Sequence, residues 1–163
     1  MTEFKLIDDR VEPDEDSYET TPEQVAHFEE IYDLKFELDA AATGANKKTP
    51  YYLTDAMHQE WVLTKQSDTD VKKIDVWCNP PHSMNLDFVK RADAQHKKYN
   101  INICMLIPTR IQSSPVFHEL IENETEVFVE NHPVLRRPKF LKNGRPTKHG
   151  SKNGYCVIIW RKK

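Results

Sequence analysis

Glycine is scarce in this chain, with four residues in 163. None of the four stands in a G-x-G spacing, which excludes the glycine-rich dinucleotide fingerprint. Cysteine is rarer still, with three residues. Cys78, Cys104 and Cys156 are an odd number, each lies inside an apolar run, and they lack the close pairing of zinc sites. They are expected to be reduced core thiols, not a disulfide or a metal site. No apolar run approaches the length of a membrane span, and no basic-then-apolar leader opens the sequence, so a cytoplasmic address with no membrane partner is expected. At 163 residues the chain suits one domain with a real core and has little room for a separate recognition domain.

Charge is abundant, at 30% of residues, and unevenly spread. Residues 1–33 carry twelve acids against Lys5 and Arg10, whereas residues 136–163 carry ten bases and no acid. The formal net charge of -3 therefore does not argue against a polyanionic partner for the basic segment Arg136 to Lys152. Without such a partner, the same segment is a solvated tail shielded by the acidic leader.

Residues 1–19 are acidic with little periodicity and are expected to form an arm, leaving 20–163 as the folded domain. Thr20-Thr21-Pro22-Glu23 is a helix start, a hydroxyl cap followed by proline at the first helical position. Val25, Phe28, Ile31 and Tyr32 supply an apolar stripe through about Tyr32. Phe36 and Leu38 alternate with Lys35 and Glu37 in a first strand that runs into Asp39-Ala40-Ala41-Ala42. Small side chains just past a strand end let a ligand approach the backbone, and Asp39 is an acceptor there for an ammonium or a hydroxyl. Thr54 can cap a short helix carrying Ala56, Met57 and Trp61, and residues 64–73 are a polar surface loop. Ser83 can cap a second helix with Leu86, Val89, Ala92, His96 and Tyr99 on one face, His96 being a structural residue. Ile101 to Ile107 has the continuous apolarity of a strand buried on both faces, and the loop Thr109 to Pro115 follows it. Phe117, Leu120 and Ile121 fit a short helix, Val127 and Val129 a strand, and Tyr155 to Trp160 a last strand.

The stretch Ile74-Asp75-Val76-Trp77-Cys78-Asn79-Pro80-Pro81-His82-Ser83 organises the rest. A buried strand stops at two prolines, which lack amide hydrogens and have fixed φ. The Asn79 side-chain oxygen and the Pro80 carbonyl can then stand as two acceptors at the strand tip, where open α/β sheets do chemistry. A site that methylates an amine needs such a pair. The exocyclic amine of adenine has its lone pair delocalised into the ring, and one acceptor per N–H favours the pyramidal form and turns the lone pair toward an electrophile. A ring at position 82 can stack on a base taken out of the duplex. The tetrapeptide also fits a plain proline-terminated strand followed by a Ser83 helix cap.

In order, the Thr-Pro helix, the segment Phe36-Glu37-Leu38-Asp39-Ala40-Ala41-Ala42, Asn46, Tyr52, Asp55, Trp61, the Asn-Pro-Pro-His tip and the basic carboxy-terminal hairpin resemble the phage-type DNA adenine methyltransferases of the Dam-like family. The resemblance runs from about Thr20 to Trp160. It implies a Rossmann-like class I methyltransferase fold of α/β type, a single compact domain with a mostly parallel sheet and a C-terminal antiparallel hairpin. It implies S-adenosylmethionine as the cofactor, bound by Thr21, Pro22, Asp39, Ala40 and Ala41, with Asn46 and Asp55 also lining the pocket. Asn79, Pro80, Pro81 and His82 match the catalytic tetrapeptide, and methyl transfer needs no metal. DNA is the implied partner. Arg136, Arg137, Lys139, Lys142, Arg145 and Lys148 are placed on its phosphates and Arg110 near the target, in the host cytoplasm if the gene is a phage one. A second copy of the chain, making a homodimer, is a candidate for supplying specificity.

Two departures from the family pattern bear on function. The family usually has an aromatic residue, most often tyrosine, where this chain has His82, whose ring offers less area and, when protonated, sets a cation against the base. Methyltransferases in general use a glycine-rich first loop, where this chain has alanines. Two alternatives stay open: methylation of a glutamine side-chain amide in protein, which poses the same orientation problem, and a non-catalytic protein that binds DNA or the cofactor. The basic carboxy-terminal third favours nucleic acid over a protein acceptor.

Overall fold

The computed structural model describes residues 18–42, 47–64, 71–121, 127–130, 141–142, 145–146 and 154–163. A two-residue strand, β1 (Tyr18–Glu19), leads into helix α1 (Pro22–Tyr32). Pro22 opens the helix, and Thr21 caps it reciprocally with Gln24. The Thr21 hydroxyl accepts from the Gln24 amide at 3.1 Å, and the Gln24 side chain accepts from the Thr21 amide at 2.8 Å. Asp33 ends the helix in the left-handed region at φ 54°. Val25, Phe28 and Tyr32 are buried, but Ile31, expected in the same stripe, is 43% exposed. At about 100° per residue it falls beyond Phe28, outside the arc that faces the sheet.

The main sheet has six strands in the order β3-β2-β6-β7-β11-β8. Its members are β2 (Phe36–Asp39), β3 (Tyr51–Tyr52), β6 (Asp75–Cys78), β7 (Ile103–Pro108), β8 (Val127–Glu130) and β11 (Tyr155–Trp160). The first four in spatial order run parallel, while β11 is antiparallel to both its neighbours. The protein is therefore mixed α/β, with a mostly parallel centre and antiparallel carboxy-terminal strands. The hairpin expected there is a pair of sheet neighbours, β8 and β11, joined by a long connection. Two small antiparallel sheets accompany it. One joins β4 (Leu63–Thr64) to β5 (Val71–Lys72), and the other joins β1 to β9 (Leu141–Lys142) and β10 (Arg145–Pro146).

Alternation along the central strands sends side chains into two cores. Trp77, Cys104, Leu106, Tyr155, Val157 and Ile159 pack with Val25, Phe28 and Tyr32 of α1, and the Phe28 and Trp77 rings stack at 5.5 Å. Val76, Cys78, Ile103, Met105, Ile107, Ile158 and Trp160 pack on the opposite face. Phe88, Val89 and Ala92 of helix α2 (Asn85–Tyr99) cover them, as does Phe117 of α3 (Pro115–Ile121). All six residues of β7 and of β11 are buried, as their unbroken apolarity predicts. The three cysteines are free and buried. No helix among the described residues is long and apolar enough to cross a membrane.

Besides Ile31, three local expectations fail, one of them the polar surface loop expected at 64–73, whose two ends pair as β4 and β5. Residues 54–61 form a turn in which His58 and Gln59 amides donate to the Asp55 carbonyl, and Thr54 is exposed and caps no helix. The Trp61 amide there is taken by the Gln95 side chain at 2.8 Å, a long-range bond that replaces a helical one. Ser83 does not cap α2 either. A 3-10 turn, His82–Met84, intervenes, Met84 occupies the cap position, and no side chain caps the helix. His96 is structural as expected, its Nδ1 lying 2.8 Å from the buried Ile101 carbonyl.

Candidate active site

Strands β2 and β6 are parallel neighbours, with Asp39 opposite Trp77, so their carboxy-terminal ends stop side by side. The chain leaving β2 stays bonded across that edge. The Ala40 amide donates to the Trp77 carbonyl at 2.9 Å, and the Leu53 amide to the Asp39 carbonyl at 2.8 Å. Asp39, Ala40 and Ala41 therefore share one sheet edge with Asn79, Pro80, Pro81 and His82. Parallel α/β sheets bind ligands at this edge because all their strands end there.

Asn79 is partly exposed at the tip. Its Nδ2 donates to the Oγ1 of Thr20 at 3.0 Å, and among the described residues its Oδ1 takes no hydrogen bond. The Pro80 carbonyl likewise accepts none among the described residues. The Pro81 carbonyl instead accepts from the Met84 amide at 2.9 Å and closes the 3-10 turn. His82 is 9% exposed, and its Nε2 lies 2.7 Å from the hydroxyl of Tyr155, the first residue of β11. The two rings tilt at 46° with centroids 5.5 Å apart, so the fourth residue of the tip is held against a second ring.

Asp39 is 3% exposed. One of its carboxylate oxygens accepts from the Ala41 amide at 3.2 Å and the other from the Lys48 amide at 3.1 Å, which ties Lys48 to the strand end. Burial pushes its carboxyl up to about 6, against the two amide bonds and the Lys48 charge that pull it down. The Cys78 thiol is raised well above its ordinary value by burial, with Asp39 adding to the shift. Cys78 is a fully buried core residue.

The other expected site residues are placed unequally. Thr21 and Pro22 form the start of α1, with the Thr21 hydroxyl engaged in the cap. The Asp55 carboxylate is exposed and meets His58 Nδ1 at 2.9 Å. Its loop is fastened to α2 by Arg91, whose Nε donates to the Ala56 carbonyl at 3.0 Å, and by Glu60, which accepts from Arg91, Gln95, Lys98 and Tyr99. The Lys98 bond leads in holding the Glu60 carboxyl down to about 2. Arg110 is exposed on the 3-10 turn Thr109–Ser113 that follows β7. Lys142 and Arg145 face each other across the β9–β10 pair. Asn46, Arg136, Arg137, Lys139 and Lys148 lie outside the described residues.

Thr20 and Tyr155 were not singled out from the sequence. Thr20 was hidden beside the stronger cap at Thr21. Tyr155 carried a faint signal, since a hydroxyl within an otherwise apolar buried strand needs a partner.

As a class, this is an α/β protein whose ligand edge joins a buried carboxylate and an alanine loop to an Asn-Pro-Pro tip. The family described as DNA N-6-adenine-methyltransferase (Dam) matches residues 9–163, and the chain belongs to this family of adenine-specific DNA methyltransferases. It is 31% identical over 143 residues to the DNA N-6-adenine-methyltransferase of Haemophilus phage HP1 (strain HP1c1), an alignment covering 85% of this chain and 76% of that protein. It is 33% identical over 115 residues to the DNA N-6-adenine-methyltransferase of Escherichia phage T1, covering 69% of this chain and 43% of that protein.

Proposed function

We propose that the chain transfers a methyl group from S-adenosylmethionine to the exocyclic amine of adenine in DNA, on a Rossmann-like class I methyltransferase fold, with Asn79 and Pro80 orienting the amine. The observation that carries the proposal is the Asn79 amide, whose Nδ2 donates to Thr20 Oγ1 at 3.0 Å while Oδ1 takes no hydrogen bond among the described residues. Two acceptors at one tip suit the two N–H bonds of an NH2 group. Holding both draws the nitrogen lone pair out of conjugation and aims it, and the same oxygens stabilise positive charge that develops on nitrogen. The amine held by Asn79 and Pro80 would take the methyl group that the donor supplies and would then give up one proton.

The residues of the β2 edge fit the cofactor. Ala40, Ala41 and Ala42 carry nothing beyond a methyl group, and Asp39 is a buried carboxylate whose charged form gains from a cation. When bound, S-adenosylmethionine supplies a methyl group made electrophilic by its sulfonium. Asp39, Ala40 and Ala41 would hold it at the strand end, with Thr21, Pro22, Asn46 and Asp55 as further lining positions. His82, braced by Tyr155, forms the wall against which the extruded base rests. The basic segment, including Arg136, Arg137, Lys139, Lys142, Arg145 and Lys148, grips phosphates, with Arg110 near the target.

The protein is tested by incubation with methyl-labelled cofactor and unmethylated or fully adenine-methylated duplex. Label on adenine of the unmethylated duplex alone is expected. Label on protein glutamine, or DNA binding with no transfer, overturns the proposal.

Cofactor binding should also depend on pH through Asp39. With its carboxyl at about 6, Asp39 is charged above that pH and neutral below it, so a cationic ligand loses its counter-charge on acidification. The dissociation constant for S-adenosylmethionine is expected to rise about tenfold from pH 7 to pH 5, and Asp39→Asn should flatten that dependence, as read by calorimetric titration. The effect on folding has the opposite sense. The raised carboxyl favours the folded free protein below its ordinary value of 3.8, and this advantage is lost as pH rises through about 6. Equal affinity at both pH values in the wild type would remove Asp39 from the cofactor site.

A further inference from the structure

We infer that Thr20 is a positioning residue for methyl transfer, acting through Asn79; this rests on the acceptor role proposed for Asn79. A primary amide has a donor on one arm and an acceptor on the other, with nearly the same shape. Rotated by half a turn, Asn79 would present NH2 to an incoming NH2 group. Its plane and its orientation therefore both need a partner. Thr20 is 2% exposed, and its Oγ1 receives the Asn79 Nδ2 at 3.0 Å, across 59 residues of sequence. With an amine at the tip, only the arrangement that gives Nδ2 to Thr20 leaves Oδ1 for the substrate.

Thr20 is itself well placed to hold a side chain still. The next residue is the Thr21 cap, locked to Gln24 in both directions. The two preceding residues form β1, whose Tyr18 and Glu19 pair with Lys142 and Leu141 of β9. The hydroxyl is thus fixed between a strand pairing and a helix start. A hydroxyl serving packing alone would have no need to meet the amide side chain of the tip.

The test uses the full chain, a DNA duplex and labelled cofactor, and compares Thr20→Val, which keeps the shape and removes the hydroxyl, with Thr20→Ser, which keeps the hydroxyl. Thr20→Val is expected to lower kcat by about ten- to a hundredfold, leaving the cofactor dissociation constant and the KM for DNA within about twofold of wild type. Thr20→Ser should restore kcat to within about threefold. On an Asn79→Ala background, Thr20→Val should cost almost nothing further, because the group it positions is gone. Thermal unfolding checks the fold of each variant, and Thr20→Ala provides a second hydroxyl-free protein if the valine variant does not fold. The inference alone is overturned if Asn79→Ala is inactive while Thr20→Val keeps wild-type kcat, or if Thr20→Val costs the same factor on both backgrounds. If Asn79→Ala transfers at the wild-type rate, the acceptor role itself falls and the inference falls with it.

Discussion

The Asn79→Ala protein is expected to transfer methyl groups about 10²- to 10³-fold more slowly than wild type, by analogy with the removal of one preorganised hydrogen-bonding group from an active site. Its S-adenosylmethionine dissociation constant should be unchanged. The separation follows from the layout of the sheet edge. Asp39, Ala40 and Ala41, proposed to hold the cofactor, leave β2, whereas Asn79 leaves β6, and the groups that fix Asp39 are the Ala41 and Lys48 amides, neither of which bonds the Asn79 side chain. Loss of the amide removes one of two acceptors and leaves the Pro80 carbonyl, so orientation of the amine is halved and binding of the donor is spared. The cost to folding should be near 1 kcal/mol, chiefly because the Thr20 hydroxyl loses its partner. Single-turnover transfer with saturating cofactor isolates the chemical step. A rate within threefold of wild type would strip Asn79 of its assigned role.

Neutralising Arg136, Arg137 and Lys139 together is the second large effect expected. Each cation that releases a counterion from duplex DNA contributes about 0.9 to the slope of log affinity against log salt, so three should make that slope shallower by about 2.7. Near 0.1 M salt this corresponds to a loss of affinity of about 10²- to 10³-fold. The rate on saturating DNA should be nearly preserved, since phosphate contacts position the duplex and do no chemistry. Lys142, three residues after Lys139 in sequence, pairs with Tyr18 of β1, and β1 leads into Thr20, whose hydroxyl meets Asn79. Fluorescence anisotropy across 50 to 200 mM salt, on wild type and the triple variant, measures both quantities. An unaltered slope would move the DNA contact to another face.

What was legible in the sequence was whatever depends on neighbours a few residues apart. The α1 start at Thr21 and Pro22, the β6 strand stopping at Asn79, and the buried runs of β7 and β11 all follow from local spacing, and each is present. The errors arise where distant groups take over. The turn at residues 54–61 is shaped by Gln95 and Arg91 of α2, which claim the Trp61 amide and the Ala56 carbonyl that a helix would use otherwise. The site's two unforeseen bonds join residues 59 and 73 positions apart, Asn79 to Thr20 and His82 to Tyr155. Periodicity identifies strands and says nothing of their spatial order, so the place of β11 between β7 and β8 was also out of reach. The likeness to phage adenine methyltransferases supplied what local pattern could not, because a family match reports the tip, the alanine loop and the hairpin as one set.

That placement of β11 governs how the molecule comes into being. During synthesis β7 leaves the ribosome well before the strand that will pair with its free side, and β8 cannot join the sheet until the same strand arrives. The nascent chain therefore carries an open, wholly apolar β edge, a template for pairing with other chains, until Tyr155 to Trp160 slide into the gap. Because the Tyr155 hydroxyl also meets His82 Nε2, closing the gap and bracing the Asn-Pro-Pro-His tip are one event.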